Sequence, residues 1–277
     1  MGLPVNLGCG NRFRQGWLNL DLGSNATEVV PWDLRRGLPI ASGTAPFVYS
    51  SHMLEHLKPR DAEHVLRDVL RALRPGGIVR VVVPDLEALA GLYSRALQQA
   101  NERPKELEWA RIQLFDQMVR GQNGGEMLAF LREASAEERK HAIDQMGPEA
   151  EGAPAARREG PRGPSQWLAK LGRPRRLARA LARLRLASAR RAVGALLGSR
   201  GLEAFDLGWF DTTGERHLWM YDVHNLSEML RRCGFARVEQ QSPETSLWES
   251  WPKENLDVES DGSVSKPNSL FMEGVKR

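Results

Sequence analysis

The stretch His52-Met53-Leu54-Glu55-His56 places two imidazoles and a carboxylate at i, i+3 and i+4, on one face of a helical turn. Imidazole titrates near neutrality, so either histidine can take the proton of an attacking hydroxyl. With Glu55 they also form a candidate ligand set for a divalent ion. Two or three imidazoles and one carboxylate suit zinc or iron better than magnesium. The plainer reading has one side chain touching a ligand while the others hydrogen-bond a helix start, and then no metal is expected. A second cluster, Gly214-Glu215-Arg216-His217-Leu218-Trp219-Met220-Tyr221-Asp222, mixes aromatic and titratable groups as a pocket rim does. His217 is the preferred general base, with His52 second, and His217 is also a candidate fourth metal ligand. A packing strand with a satisfied histidine is the competing account.

Near the amino terminus, Val5-Asn6-Leu7-Gly8-Cys9-Gly10 is an apolar run ending in two glycines one residue apart. It reads as a buried strand feeding a tight turn whose backbone comes close to something. A nicotinamide or flavin dinucleotide would want a third glycine where Phe13 stands and an acid about 20 residues further on. Asp21 follows Gly10 by only eleven residues, so that reading fails. A ligand-free turn and a different nucleoside cofactor stay open. For the latter, Asp21 offers an ionised carboxylate to both ribose hydroxyls. Asp33 would take an adenine amino group, with Leu34 against the ring, although Arg35 and Arg36 make a surface ion pair an equal prospect for Asp33.

The elements that must position these residues alternate. Strands are expected at Val5–Leu7, Trp17–Leu22, Glu28–Leu34 and Phe47–Ser51, then a helix over Arg60–Leu73 with Val65, Leu66, Val69 and Leu70 on one face. Arg74-Pro75-Gly76-Gly77 stops it, and Ile78–Val83 is a β-branched run suited to a central parallel strand. Residues 91–210 read as a helical insertion: helices over Leu86–Asn101, Glu106–Arg120 and Glu126–Gln145, a connector over Gly147–Ser165, and a basic amphipathic helix over Pro174–Leu197. A capped helix at Glu228–Arg232 and strands at Phe235–Gln240 and Ser269–Val275 follow. The expected fold is α/β, a doubly wound, seven-stranded, mostly parallel sheet divided into residues 1–90 and 211–277 by an insertion after the fifth strand.

Five motifs occur in order: VNLGCG, the acid Asp21 after the second strand, PWDL ending the third, SSHMLEHL after the fourth and LRPGG before the fifth. Together they resemble the class I S-adenosylmethionine-dependent methyltransferases, particularly the type 11 domains, over roughly residues 3–90 and 215–277. The resemblance implies S-adenosylmethionine as cofactor, with Asn6, Gly8, Cys9, Gly10, Asp21, Asp33, Leu34, Ser51 and His52 around it. It implies methyl transfer, with a small-molecule or sugar hydroxyl as the expected acceptor. HMLEH resembles the E-x-x-E-H segment of metal-dependent O-methyltransferases, with His52 in place of the first glutamate. The sequence departs from the family at Asn6, where an acid is usual, and has no helix before the first strand, so the insertion is expected to supply the lid. The rival readings are a catalytically inactive scaffold module and an RNA 2′-O-methyltransferase with a metal site.

Two cysteines among 277 residues rule out a disulfide framework. The opening residues show no secretion signal, and a cytoplasmic protein is expected. Charge is unevenly spread: Arg157–Arg200 holds thirteen Lys and Arg against the single acid Glu159, within a chain of net charge +4. Leucines between the arginines of 174–197 suit an anionic membrane surface, at the inner membrane face, or another acidic partner. The absence of interleaved aromatics makes nucleic acid a poor candidate.

Overall fold

The computed structural model describes residues 2–24, 26–148 and 174–277, with only the backbone described for 174–183. Strands β1 (Val5–Leu7), β2 (Leu18–Asp21), β3 (Val29–Pro31), β4 (Ala45–Ser51) and β5 (Leu73–Pro84) pair in parallel. The last strand, β7 (Ser269–Val275), lies antiparallel between β5 and β6 (Arg237–Gln241). The order β3-β2-β1-β4-β5-β7-β6 is the expected doubly wound sheet. Its switch point falls between β1 and β4, where open α/β sheets bind ligands beyond the strand ends. Gly8 and Ser51–His52 stand there.

One face of the sheet follows the apolar periodicity. Helix α1 (Pro59–Ala72) starts on a proline at its first turn, where the missing N–H costs nothing. It buries Val65, Leu66 and Val69 against the strands. The helix ends at Ala72, and the expected stop Arg74–Gly77 already belongs to β5, with a register shift against β4 between Ala45 and Phe47.

Among the described residues, the other face has no helix between β1 and β2 or between β2 and β3. The connection from β6 to β7, residues 242–268, covers it. Trp248 stacks on Phe47 at 4.2 Å, and Trp251 is wholly buried. Arg80 of β5 is fully buried, donating to Asp257 (2.7 Å), Glu273 (2.9 Å) and the carbonyls of Ser242 and Thr245. Its guanidinium also lies 4.4 Å over the Trp251 ring. This charge cluster bolts the connection to the sheet.

Between β5 and the C-terminal elements run α2 (Leu86–Gln98), α3 (Pro104–Val119), α4 (Gly125–Glu133) and α5 (Ala136–Met146). Helices α3, α4 and α5 share a small core of Trp109, Met127, Phe130, Leu131 and Ala142. The single helix expected over Glu126–Gln145 is two, because Ser135 and Glu138 form a reciprocal cap that restarts the chain. Of the expected connector, all but Gly147 and Pro148 lies outside the described residues.

Helix α6 (Pro174–Asp211) breaks at Gly198 (φ 68°, ψ −164°), just after the expected end of the basic helix. Arg190 and Asp206 form a bidentate pair at 2.7 Å, although sixteen residues of straight helix would part them by about 24 Å. The segment is therefore a helical hairpin folded at Gly198.

Helix α7 (Val223–Cys233) begins earlier than the expected Glu228, because the Asp222 carboxylate accepts the Asn225 N–H at 2.8 Å and caps a turn upstream. Gly234, left-handed at φ 109°, ends it. The short α8 (Trp251–Glu254) lies in the β6–β7 connection.

Candidate functional site

Two cavities open beyond the ends of β1, β2 and β4, of about 630 Å³ and 530 Å³. Each is within the usual range for a small-molecule site. Gly8 and His52 wall both, so the two cavities lie side by side at this strand end.

The glycine turn divides its labour unequally. Gly8 and Gly10 are both left-handed (φ 64° and 52°), a conformation that disfavours any side chain. A Cβ on Gly8 would fall 2.4 Å from Met53 Cγ, so Met53 fills that hollow. A Cβ on Gly10 would meet nothing within 4 Å. The bare peptide that a ligand can approach is at Gly10.

Asp21 is committed to this loop. Its Oδ2 accepts the Gly10 N–H at 2.9 Å, and its Oδ1 accepts those of Gly23 and Ser24, both at 2.7 Å. A carboxylate has about four lone-pair sites, and three are taken. The expected two-oxygen grip on a ribose is therefore corrected: one acceptor site on Oδ2 is left while the loop is in place. Asp21 lines the smaller cavity with Trp32, Asp33 and Leu34. Asp33 spends both oxygens on Arg35 (2.9 Å each) and caps the 34–36 turn, and that ion pair holds its carboxyl below the usual range. Adenine recognition by the Asp33 carboxylate is corrected to a charge pair at the cavity edge.

Asn6, Cys9, Gly10 and Ser51 line the larger cavity. The Asn6 amide donates to the Arg12 carbonyl at 3.0 Å, so it braces the turn. Burial, and then Asp21, push the Cys9 thiol up to about 12, so it lines the cavity as a neutral thiol.

The imidazole cluster sits at the same strand end. His52 has left-handed backbone (φ 50°), uncommon outside glycine and found at functional sites. Its Nε2 lies 2.8 Å from Ser269 Oγ, and its surroundings keep its pKa well below the ordinary value, burial first and Lys266 second. Glu55 is fully buried, and neither carboxylate oxygen has a hydrogen-bond partner among the described residues. Burial raises it to about 8. His56 lies on the smaller cavity and holds the Arg216 carbonyl through Nδ1 at 3.0 Å.

His217 is placed behind Glu55. The N–H groups of Leu218 and Trp219 both donate to the Glu55 carbonyl (2.7 and 3.2 Å), which fixes the segment against the turn. His217 is 3% exposed and lines neither cavity, so its expected role as general base is corrected to a buried position behind Glu55. Burial, then His56, lowers its pKa to about 3. The expected rim also shrinks: Leu218 faces the smaller cavity, Tyr221 is buried, and Asp222 is a helix cap.

The reading of the sequence missed the far wall. Tyr49, Leu256, Asp257, Glu259, Ser265 and Lys266 line the larger cavity, mostly from the β6–β7 connection. Among the described residues the insertion adds Pro148 there, and Asp211–Gly214, just past its expected end, line the smaller cavity. The signal was Trp248-Glu249-Ser250-Trp251, aromatic and charged together in a presumed loop.

Residues 20–81 match a family described as a methyltransferase domain. No functionally curated protein matches the chain. Among solved structures, an S-adenosylmethionine-dependent methyltransferase from Mesorhizobium loti is similar at 25% identity, over 32% of this chain and 50% of that one, with a TM-score of 0.26. A Thermotoga maritima protein described as a possible histamine N-methyltransferase is similar at 12% identity over 100% of this chain and 83% of that one, with a TM-score of 0.39. The match to the first of these spans half of that protein's length.

Proposed function

From the methyltransferase-domain match over residues 20–81 and the cleft beside it, we propose a class I S-adenosylmethionine-dependent methyltransferase that methylates a hydroxyl of a small molecule or sugar, with His52 as general base. The cofactor fits the cleft on two counts: Gly10 presents open backbone, and Asp21 keeps one acceptor site beside the smaller cavity. Trp32 and Leu34 would flank its nucleoside, and Asn6, Cys9 and Gly10 its amino-acid end. When bound, it supplies a methyl group already activated by its sulfonium, so the protein's task is placement and proton removal.

The position of His52 carries the reading. It stands on the wall common to both cavities, so a hydroxyl held in the larger one would lie beside its ring. Calorimetry with S-adenosylmethionine and its demethylated product tests the first half. Micromolar binding of both supports an enzyme, and absence of binding supports the scaffold reading. For the second half, transfer of labelled methyl to a panel of sugars and hydroxylated small molecules is compared in wild type and His52→Asn. Loss of turnover by about 10²–10⁴-fold with cofactor affinity retained is expected. Undiminished transfer removes His52 as the base.

A membrane-linked acceptor is supported by the hairpin. Leu196 (82% exposed) and Leu197 stand out at its tip beside Gly198, with Arg190, Arg191 and Arg200 nearby in sequence. Exposed leucines backed by arginines suit an anionic lipid surface. Such docking would bring a lipid-linked glycan within reach.

A further inference from the structure

Glu55 poses a problem of its own. A carboxylate with no exposed surface and no hydrogen-bond donor on either oxygen is costly in any protonation state, and buried groups of this kind call for an explanation. Three imidazoles surround it. His52 Nδ1 lies 3.7 Å and His217 Nε2 3.9 Å from Glu55 Oε1, both beyond hydrogen-bond reach. The His56 ring meets the His217 ring edge-on, with centroids 4.7 Å apart.

From these contacts we infer that Glu55, His56 and His217 form a binding site for a divalent transition metal of the zinc class. One ligand atom from each lies within 4.8 Å of the others. Zinc bonds to nitrogen and oxygen of about 2.0–2.2 Å set tetrahedral ligand atoms about 3.3–3.5 Å apart. The side chains need close only slightly, which rotation about their terminal torsions supplies. Hydrogen bonding outside the site already orients one ligand. The Arg216 carbonyl can only accept, so His56 Nδ1 carries the proton and Nε2 presents its lone pair. His217 is held by its backbone N–H on the Gln117 carbonyl and by its neighbours on the Glu55 carbonyl.

Arg120 and Lys266 both set positive charge against this cluster and so oppose a dication, and the Asp116 carboxylate, 2.7 Å from Arg120, offsets the first of them. A bound dication would ionise Glu55, and the carboxylate would balance part of its charge. Two nitrogens and one oxygen favour zinc, iron or cobalt over magnesium or calcium. Three protein ligands leave a fourth position for water or a substrate atom.

The test needs no methyl acceptor and no cofactor. The untagged full-length chain, stripped with chelator and dialysed, is titrated with Co²⁺ and followed by its visible d–d absorption, then with Zn²⁺ in competition. One equivalent of Co²⁺ giving low-symmetry bands, displaced by Zn²⁺, is expected. Glu55→Gln and His217→Ala should weaken binding by at least tenfold, and His141→Ala, on α5 away from the cluster, should leave it unchanged. Circular dichroism identifies any variant that fails to fold, and His56→Gln then replaces it. Absence of stoichiometric binding, or equal binding in the ligand variants, overturns the inference. Because the readout is metal absorption, its failure leaves the calorimetric test of the methyltransferase reading untouched.

Discussion

Replacing Asp21 separates a loop anchor from a ligand contact. In the fold its carboxylate accepts three backbone N–H groups, two on Oδ1 and one on Oδ2. A bound ribose hydroxyl can therefore claim one charge-assisted hydrogen bond, and such a bond contributes about 1.5–3 kcal/mol. At about 1.4 kcal/mol per factor of ten, Asp21→Ala should weaken S-adenosylmethionine binding by about 10- to 150-fold. Asp21→Asn should fall in the same range. Its amide keeps one acceptor oxygen, but its NH₂ must then face the N–H groups of either Gly10 or Gly23 and Ser24. Isothermal calorimetry with the cofactor and its demethylated product measures the loss, and thermal unfolding without ligand measures the anchor. Lower thermal stability with unchanged affinity would refute the reasoning. Asp21 would then be a turn residue, and the nucleoside would lie elsewhere.

Arg80→Met should cost about 3–5 kcal/mol in chemical denaturation, because it strands Asp257 and Glu273 without their buried cation, and a loss below about 1 kcal/mol would show that water reaches the cluster. Purified protein should float with anionic phosphatidylglycerol vesicles, and the double change Leu196→Glu, Leu197→Glu should leave it in the dense fraction; wild type that does not float removes the membrane reading. Both cysteines should resist iodoacetamide at pH 8 in the folded protein. Burial is the first cause at each, raising Cys9 to about 12 and Cys233 to about 11, so about one thiol in 10³–10⁴ is thiolate; stoichiometric labelling within minutes would contradict this.

The parts of this protein that were legible in its sequence are those fixed by local patterns. The β-branched run Ile78–Val83 and the stripe Val65, Leu66, Val69 bury themselves wherever the chain goes, so the strand order and α1 follow from them. The turn at Gly8–Gly10 announces itself by its missing side chains. Long-range choices were not legible. Nothing near Gly8 says that Met53, forty-five residues on, will fill its hollow. The two-oxygen role expected for Asp21 failed because a carboxylate at a strand end competes for nearby N–H groups, and Gly23 and Ser24 are closer than any ligand. His217 was chosen as base for its company of aromatic and titratable residues. The Glu55 carbonyl, by holding Leu218 and Trp219, draws that segment behind the cleft instead.

The buried Glu55 ties these threads together. From sequence, His52, Glu55 and His56 share a helical face and would point the same way. In the fold the turn is a tight 3-10 segment, Leu54–His56, entered through the left-handed His52. That entry turns His52 toward the cleft, Glu55 inward and His56 toward the smaller cavity. One strained backbone position thus divides three neighbouring titratable groups between the cavity walls, where His52 and His56 stand, and the interior, where Glu55 is buried. If His52→Gly relaxed the backbone without disturbing cobalt binding or turnover, that sorting would have no functional consequence. The expected result is loss of turnover, because the imidazole is gone, with cobalt binding altered only as far as the turn shifts.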